Sequence, residues 1–260
     1  MTPPLLELNR AGRPILRYLP EPGDPPTAGR AEPLGDLDDV VAAVLEELAG
    51  WLFITKDDAL TDALLAAGCG MNRQGALYSR DLVADPPDPS WRTERIGFFE
   101  SEPLDVPAAS LVALSLAAYP PGHPDAETQD PAKVEKDIDG LLTGSDVGPL
   151  MDVSTIVRDK ERDSNPVVAL ALINRMTGAS PTGGPWVSEI CRDTDPRYAG
   201  LGASLLRRVM VQLANDGESS LSLVVTEGNP ARQVYERMGF RFINSFRKLS
   251  IPALPRDSAS

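Results

Sequence analysis

An α+β fold follows from three features of the 260-residue sequence. Apolar residues make up 42% before glycine is counted, the share of a chain that buries a core. Segments with apolar residues at helical spacing are interleaved with short runs rich in Val, Ile and Leu. Three of those runs follow one another without a helix between them, around a charged turn at 159–165, which a strictly alternating β-α chain would not contain. At about 150 residues per domain, the length suits one large or two small domains.

The first thirty residues carry Pro3, Pro4, Pro14, Pro20, Pro22, Pro25 and Pro26, each of which fixes φ and removes a donor, so 1–34 reads as a proline-rich lead-in with one short strand at 15–19. From Leu37 the spacing predicts a helix over 37–50, with acids at its start and Gly50 as its stop. A strand at 51–55, a helix at 57–67 capped by Gly68, and a closing strand at 75–81 follow. The Asp/Pro cluster at 85–90 breaks the chain, so 35–90 reads as one partial unit. The second unit, 95–251, opens with a strand at 95–100, a helix at 108–119, a kinked loop at 120–124 and a polar helix at 131–142. Strands at 153–158 and 166–176 flank the charged turn, and a loop at 178–185 leads to a strand at 186–192. A helix at 202–215, a strand at 220–226, a helix at 230–238 ended by Gly239 and a strand at 240–251 complete it, leaving 252–260 as a polar, loose tail.

Lys+Arg 25 against Asp+Glu 38 gives −13, and no basic patch reverses that field locally, which argues against a nucleic-acid partner. Apolar runs fall far short of the roughly 20 residues a bilayer needs, and the N-terminus has no basic-then-apolar secretory pattern, so no membrane role is expected. Two cysteines and a single histidine exclude zinc-finger spacings and a disulfide framework; reduced thiols in a cytoplasm and no bound metal are the expectation.

Chemistry concentrates between the strand at 186–192 and the helix after it. There Arg197-Tyr-Ala-Gly-Leu-Gly-Ala203 places two glycines at a helix N-terminus, where unpaired N–H groups and the positive end of the helix dipole bind anions without needing a lysine. Taken alone, this turn also fits a tight strand-to-helix connection. Some thirty residues on, Asn229-Pro-Ala-Arg-Gln-Val-Tyr-Glu-Arg-Met-Gly-Phe240 repeats the strand-turn-helix logic with an Asn at the entry and a Tyr midway.

The pair resembles the GNAT superfamily of N-acetyltransferases, with Arg232 as the one departure from the family's usual Ala or Gln. The resemblance implies a mixed, mostly antiparallel twisted sheet flanked by helices on both faces, and an acyl-coenzyme A site. In that site pyrophosphate would rest on the backbone of Ala199, Gly200, Leu201, Gly202 and Ala203, and the pantetheine arm beside Ile190, Cys191 and Arg192, meeting Asn229. It further implies a bulged strand at 186–192 that splays from the strand at 220–226. A backbone donor near Ile190 or Cys191 would stabilise the oxyanion, and Tyr235 would protonate the departing thiolate. Glu189 is the candidate base for the acceptor ammonium. Arg197 and Arg232 are candidates for the phosphates and the nucleotide end. Each has a plainer alternative: Tyr235 as a buried aromatic, Glu189 paired with an Arg, Cys191 as a small core residue, Arg197 and Arg232 as solvated charges. His123 sits where the family lines its acceptor pocket, and an exposed loop histidine is its alternative.

Leu52-Phe-Ile-Thr55 aligns with Leu223-Val-Val-Thr226, with Gly68 under Gly239, which suggests that 35–90 is a decayed GNAT-like unit, with Leu64 where Tyr235 stands and no catalytic site of its own. The expected function is transfer of an acetyl or short acyl group from acetyl-CoA to a small-molecule or peptide amine in a ternary complex. The alternatives are a catalytically degenerate acyl-CoA-binding protein and a partner-binding protein. The resemblance also implies a homodimer through the last strand.

Overall fold

The computed structural model describes residues 4–92, 99, 101–126, 128–176 and 183–254. The chain divides into one unit of Met1–Leu77 with Ile243–Ser260 and a second of Tyr78–Phe242.

The first unit holds β1 (Leu6–Arg10), β2 (Arg13–Glu21), β3 (Thr27–Pro33), α1 (Leu37–Glu47), β4 (Leu52–Thr55), α2 (Asp58–Ala66) and the start of β5 (Gly70–Asp81). Its strand order is β1-β2-β3-β4-β11-β5, where β11 (Arg241–Ser250) returns from the end of the chain. The lead-in expected over 1–34 is therefore corrected to three strands. The prolines sit where strands tolerate them: Pro14 opposite a bulge at Leu8/Asn9, Pro20 and Pro33 at strand ends, Pro25 and Pro26 between strands. Between them Ile15, Leu16, Tyr18 and Leu19 are buried. Leu16, Val40, Val44, Phe53, Leu60, Leu64 and Leu249 share one core cluster, so both ends of the chain build it. Asp36 and Asp57 cap α1 and α2, accepting from Asp38 N at 3.0 Å and Leu60 N at 2.7 Å.

The second unit holds β6 (Ser101–Pro103), α3 (Val112–Ala118), α4 (Pro131–Thr143), β7 (Thr155–Arg158), β8 (Val167–Met176), β9 (Gly184–Arg192), α5 (Leu201–Asn215), β10 (Ser220–Thr226) and α6 (Ala231–Arg237), with strand order β5-β10-β9-β8-β7-β6. The β6-β7-β8-β9 pairs are antiparallel and β9-β10 is parallel. The strand expected at 95–100 lies outside the described residues apart from Phe99, as does most of the 178–185 loop and of the tail. The division falls inside β5, an uninterrupted 12-residue strand, and the proline cluster is a surface connection that ends in a short 3₁₀ turn at Pro89–Arg92.

β8 is buried at every position from Val168 to Asn174, the signature of a strand covered on both faces. Leu170 and Leu172 share a cluster with Leu111 and Leu114 beside α3 and with Val134 and Ile138 of α4. Alternation turns Ala169, Ala171 and Ile173 to the other face. There α5 packs its buried Leu205, Leu206, Val209 and Leu213.

Candidate active site

The glycine turn is held from behind. Tyr198 is buried, and its hydroxyl donates to Asp159 Oδ2 at 2.7 Å; Asp159 Oδ1 accepts from Glu161 N at 3.0 Å. These bonds, led by that from Tyr198, hold the Asp159 carboxyl below its usual range. Burial and then Asp159 push the Tyr198 phenol up to about 12. In front of this anchor Gly200 takes a left-handed φ of 87°, and no side chain caps α5. The amides of Leu201, Gly202 and Ala203 precede the first helical bond, from Ser204 N to the Gly200 carbonyl at 3.0 Å. A Cβ on Gly202 would meet nothing within 4 Å, so the space beside this residue is open. An uncapped row of donors at a helix N-terminus fits a pyrophosphate.

The arginines expected to help point elsewhere. Arg197 donates to Glu161 at 2.8 Å and lies 3.4 Å from Asp159. Arg192 donates to the Asp193 carbonyl at 2.6 Å, and Arg232 donates to Glu236 at 2.9 Å over the Tyr78 ring. Acids of the charged turn hold Arg197 across loops, which chain spacing does not reveal, whereas Arg232 pairs with Glu236 at i,i+4 on α6 and Arg192 is held by a backbone carbonyl.

β9 carries a bulge at Ser188: Leu172 faces Glu189 and Ile173 faces Val187. With β10 it keeps a single register pair, Ser222 with Trp186, so the two strands part beyond that point. Asp193 N donates to Val168 of β8 at 2.8 Å. Alternation then directs Cys191 N–H to β8 and the N–H groups of Ile190 and Arg192 to the open side. Of the two donors expected near the thioester, Ile190 is the one that faces the gap.

Tyr119, at the end of α3, donates its hydroxyl to Glu189 Oε1, and the same oxygen lies 3.3 Å from the Ile190 carbonyl. Burial, then Glu189 and Cys191, raise its phenol well above the ordinary value. Cys191 is buried, and desolvation followed by Glu189 lifts its thiol well above normal, so it stays protonated. Tyr235, on α6, packs edge-on to Phe240 with centroids 6.0 Å apart. Burial raises its phenol, and Asp125, Glu189 and Cys191 raise it further. Glu189, Cys191, Tyr119 and Asp125 thus all lie near enough to Tyr235 or to one another to bear on their protonation.

Asp125 accepts from Thr226 Oγ1 and Asn229 Nδ2, while Asn229 Oδ1 accepts from Ala231 N at 2.8 Å. Both ends of the Asn229 amide are therefore engaged, one at the start of α6 and the other by Asp125 of the 120–126 loop. His123 Nδ1 accepts from Asp125 N at 3.1 Å, and the ring stands edge-on to Tyr119 at 5.1 Å. The signal for Asp125 was its place directly after the Pro120-Pro-Gly-His-Pro124 turn. Tyr119 carried none, because an aromatic ending a helix reads as core. No cluster of three or more His, Cys, Asp or Glu that could hold a metal occurs among the described residues, and no helix among them is long and apolar enough to cross a membrane.

A helix N-terminus with an uncapped amide row, beside two parallel strands that part, is an arrangement found in the GNAT fold. Residues 181–248 match the family described as FR47-like protein. The chain is similar in structure to a GCN5-related N-acetyltransferase from Sphaerobacter thermophilus, with TM-score 0.58 and 13% identity over 94% of this chain and 79% of that one. It is also similar to a GCN5-related N-acetyltransferase from Kribbella flavida, with TM-score 0.52 and 17% identity over 92% and 88%. A tandem GNAT protein from the clavulanic acid biosynthesis pathway gives TM-score 0.52 and 14% identity over 96% and 82%. No curated protein matches the sequence. The chain has the GNAT fold.

Proposed function

We propose that the chain transfers an acetyl, or another short acyl group, from acyl-coenzyme A to an amine by direct attack in a ternary complex. The observation that carries this reading is the gap between β9 and β10, with the Ile190 N–H turned into it and Glu189 and Tyr235 close enough to bear on each other's charge. The amides of Leu201, Gly202 and Ala203 take the pyrophosphate. Bound acetyl-CoA supplies a thioester carbon open to attack. Glu189, oriented by Tyr119, accepts the proton of the acceptor ammonium and frees its lone pair. The Ile190 N–H donates to the carbonyl oxygen as it gains negative charge. As the amine bonds to the thioester carbon and the C–S bond breaks, Tyr235, kept protonated by burial and by its acidic neighbours, gives its phenolic proton to the departing thiolate. It regains a proton from the new amide nitrogen, which sheds its second one. Cys191 takes no covalent part, because its buried thiol stays protonated and no histidine adjoins it in the sequence to serve as its base.

The test is thiol release from acetyl-CoA against a panel of amines, alongside calorimetric titration of the cofactor. Tyr235→Phe and Glu189→Gln each lower kcat by about 100-fold or more while acetyl-CoA affinity holds. Binding without turnover by any amine overturns the enzymatic reading, and absence of binding overturns the assignment of the amide row.

A further inference from the structure

The loop 120–126 leaves α3 at Tyr119 and is tied down at both ends. At its base Gln129 Nε2 donates to the Tyr119 carbonyl at 2.9 Å. Within it, His123 N donates to the Pro120 carbonyl and Ala126 N to the His123 carbonyl, both at 2.9 Å. At its tip the two oxygens of Asp125 accept separately, Oδ1 from the hydroxyl of Thr226 at the end of β10 and Oδ2 from the amide of Asn229 just before α6. Pro124 lies against the same turn, where a Cβ on Gly228 would come 3.9 Å from its Cγ. A carboxylate that receives two donors from one turn is a two-point, charge-assisted clamp with a defined orientation. One side of this clamp carries His123 and the end of the Tyr119 helix, and the other leads into the helix of Tyr235.

We infer that Asp125 is a positioning residue that clamps the 120–126 loop, and His123 with it, onto the exit of β10, forming the wall that holds the acceptor amine between Glu189 and Tyr235. This rests on the acyl-transfer reading of the site. The clamp acts on the acceptor side because the loop it fixes sets His123 against Tyr119, the partner of the proposed base Glu189, whereas the α5 amides proposed for the pyrophosphate make no contact with Asp125. Alanine at 125 removes both acceptors. Asparagine can keep both contacts only by turning its oxygen to the Asn229 amide and its NH2 to the Thr226 hydroxyl, so it removes the charge while retaining the two-point geometry.

Three measurements on the full chain test this with Asp125→Ala and the near-isosteric Asp125→Asn. In the free protein, amides of 121–126 exchange about tenfold faster or more in Asp125→Ala and by a smaller factor in Asp125→Asn. In the thiol-release assay, the KM for the best amine of the panel rises about tenfold, while the calorimetric Kd for acetyl-CoA moves less than about threefold. Unchanged exchange, an unchanged acceptor KM, or an acetyl-CoA Kd that rises as far as the KM overturns the clamp. A wild-type protein that turns over no amine defeats the acyl-transfer reading instead, and the exchange experiment still decides whether Asp125 holds the loop. Asp125→Asn, with nearly the native volume, guards against a result that reflects misfolding.

Discussion

Tyr119 gives its single phenolic proton to Glu189, and that bond decides what the carboxylate can do. A carboxylate on a strand beside a bulge has rotamer freedom, and a base must stay within hydrogen-bond reach of the proton it takes. Tyr119→Phe keeps the ring against His123 and removes the hydroxyl alone. The expected outcome is a kcat about tenfold lower with little change in acetyl-CoA affinity. Steady-state kinetics beside calorimetry check it, and an unaltered kcat would show that Glu189 is held by other contacts. Glu189 and Tyr235 were legible in the sequence because one lies on a strand and the other on a helix of a recognisable motif. Tyr119 and Asp125 were not, because their partners lie 70 and 101 residues away and no local spacing encodes a contact of that range.

α5 shows how an element can place stability and function in opposition at one residue. Gly202 sits in the first turn of α5 and no neighbour crowds it, so alanine there adds helix propensity at no steric cost and stabilises the helix by up to about 1 kcal/mol. The added methyl also stands in the open space beside the amide row. Gly202→Ala therefore melts at an equal or higher temperature and binds acetyl-CoA about tenfold more weakly; tighter or unchanged binding would place the pyrophosphate elsewhere. The anchor behind the turn responds to pH. The Tyr198 phenol, ordinarily at 10.0, rises to about 12 in the folded protein. Above pH 10 the unfolded chain loses this proton first, so the stabilisation is whole below pH 10 and drains away as pH rises toward 12. Urea midpoints at pH 9 and pH 11 should fall further for the wild type than for Tyr198→Phe; equal falls would remove Tyr198 from the alkaline limb.

At the scale of the whole molecule, most helices and strands after residue 37 were legible, because periodicity and glycine stops are local signals. The roles of the two ends of the chain were not. Proline density made 1–34 read as a lead-in, yet β1, β2 and β3 place Leu8, Leu16 and Ala28 in the same cluster as Leu249 of β11. In the first unit Leu52–Thr55 pairs with residues 247–250, and β5 is the next strand on the other side of β11. Which strands close a sheet is set by contacts between the first and last residues, the longest separation the sequence has and the one no window can see. These two descriptions of the N-terminus differ in a measurable way. Leu249→Ala opens a cavity in a fully buried position and costs about 2–5 kcal/mol. If residues 6–33 were a peripheral lead-in, their amide exchange would not notice the change. As strands of the Leu249 core, they lose protection together with 52–55, and hydrogen exchange resolved by segment distinguishes the two outcomes.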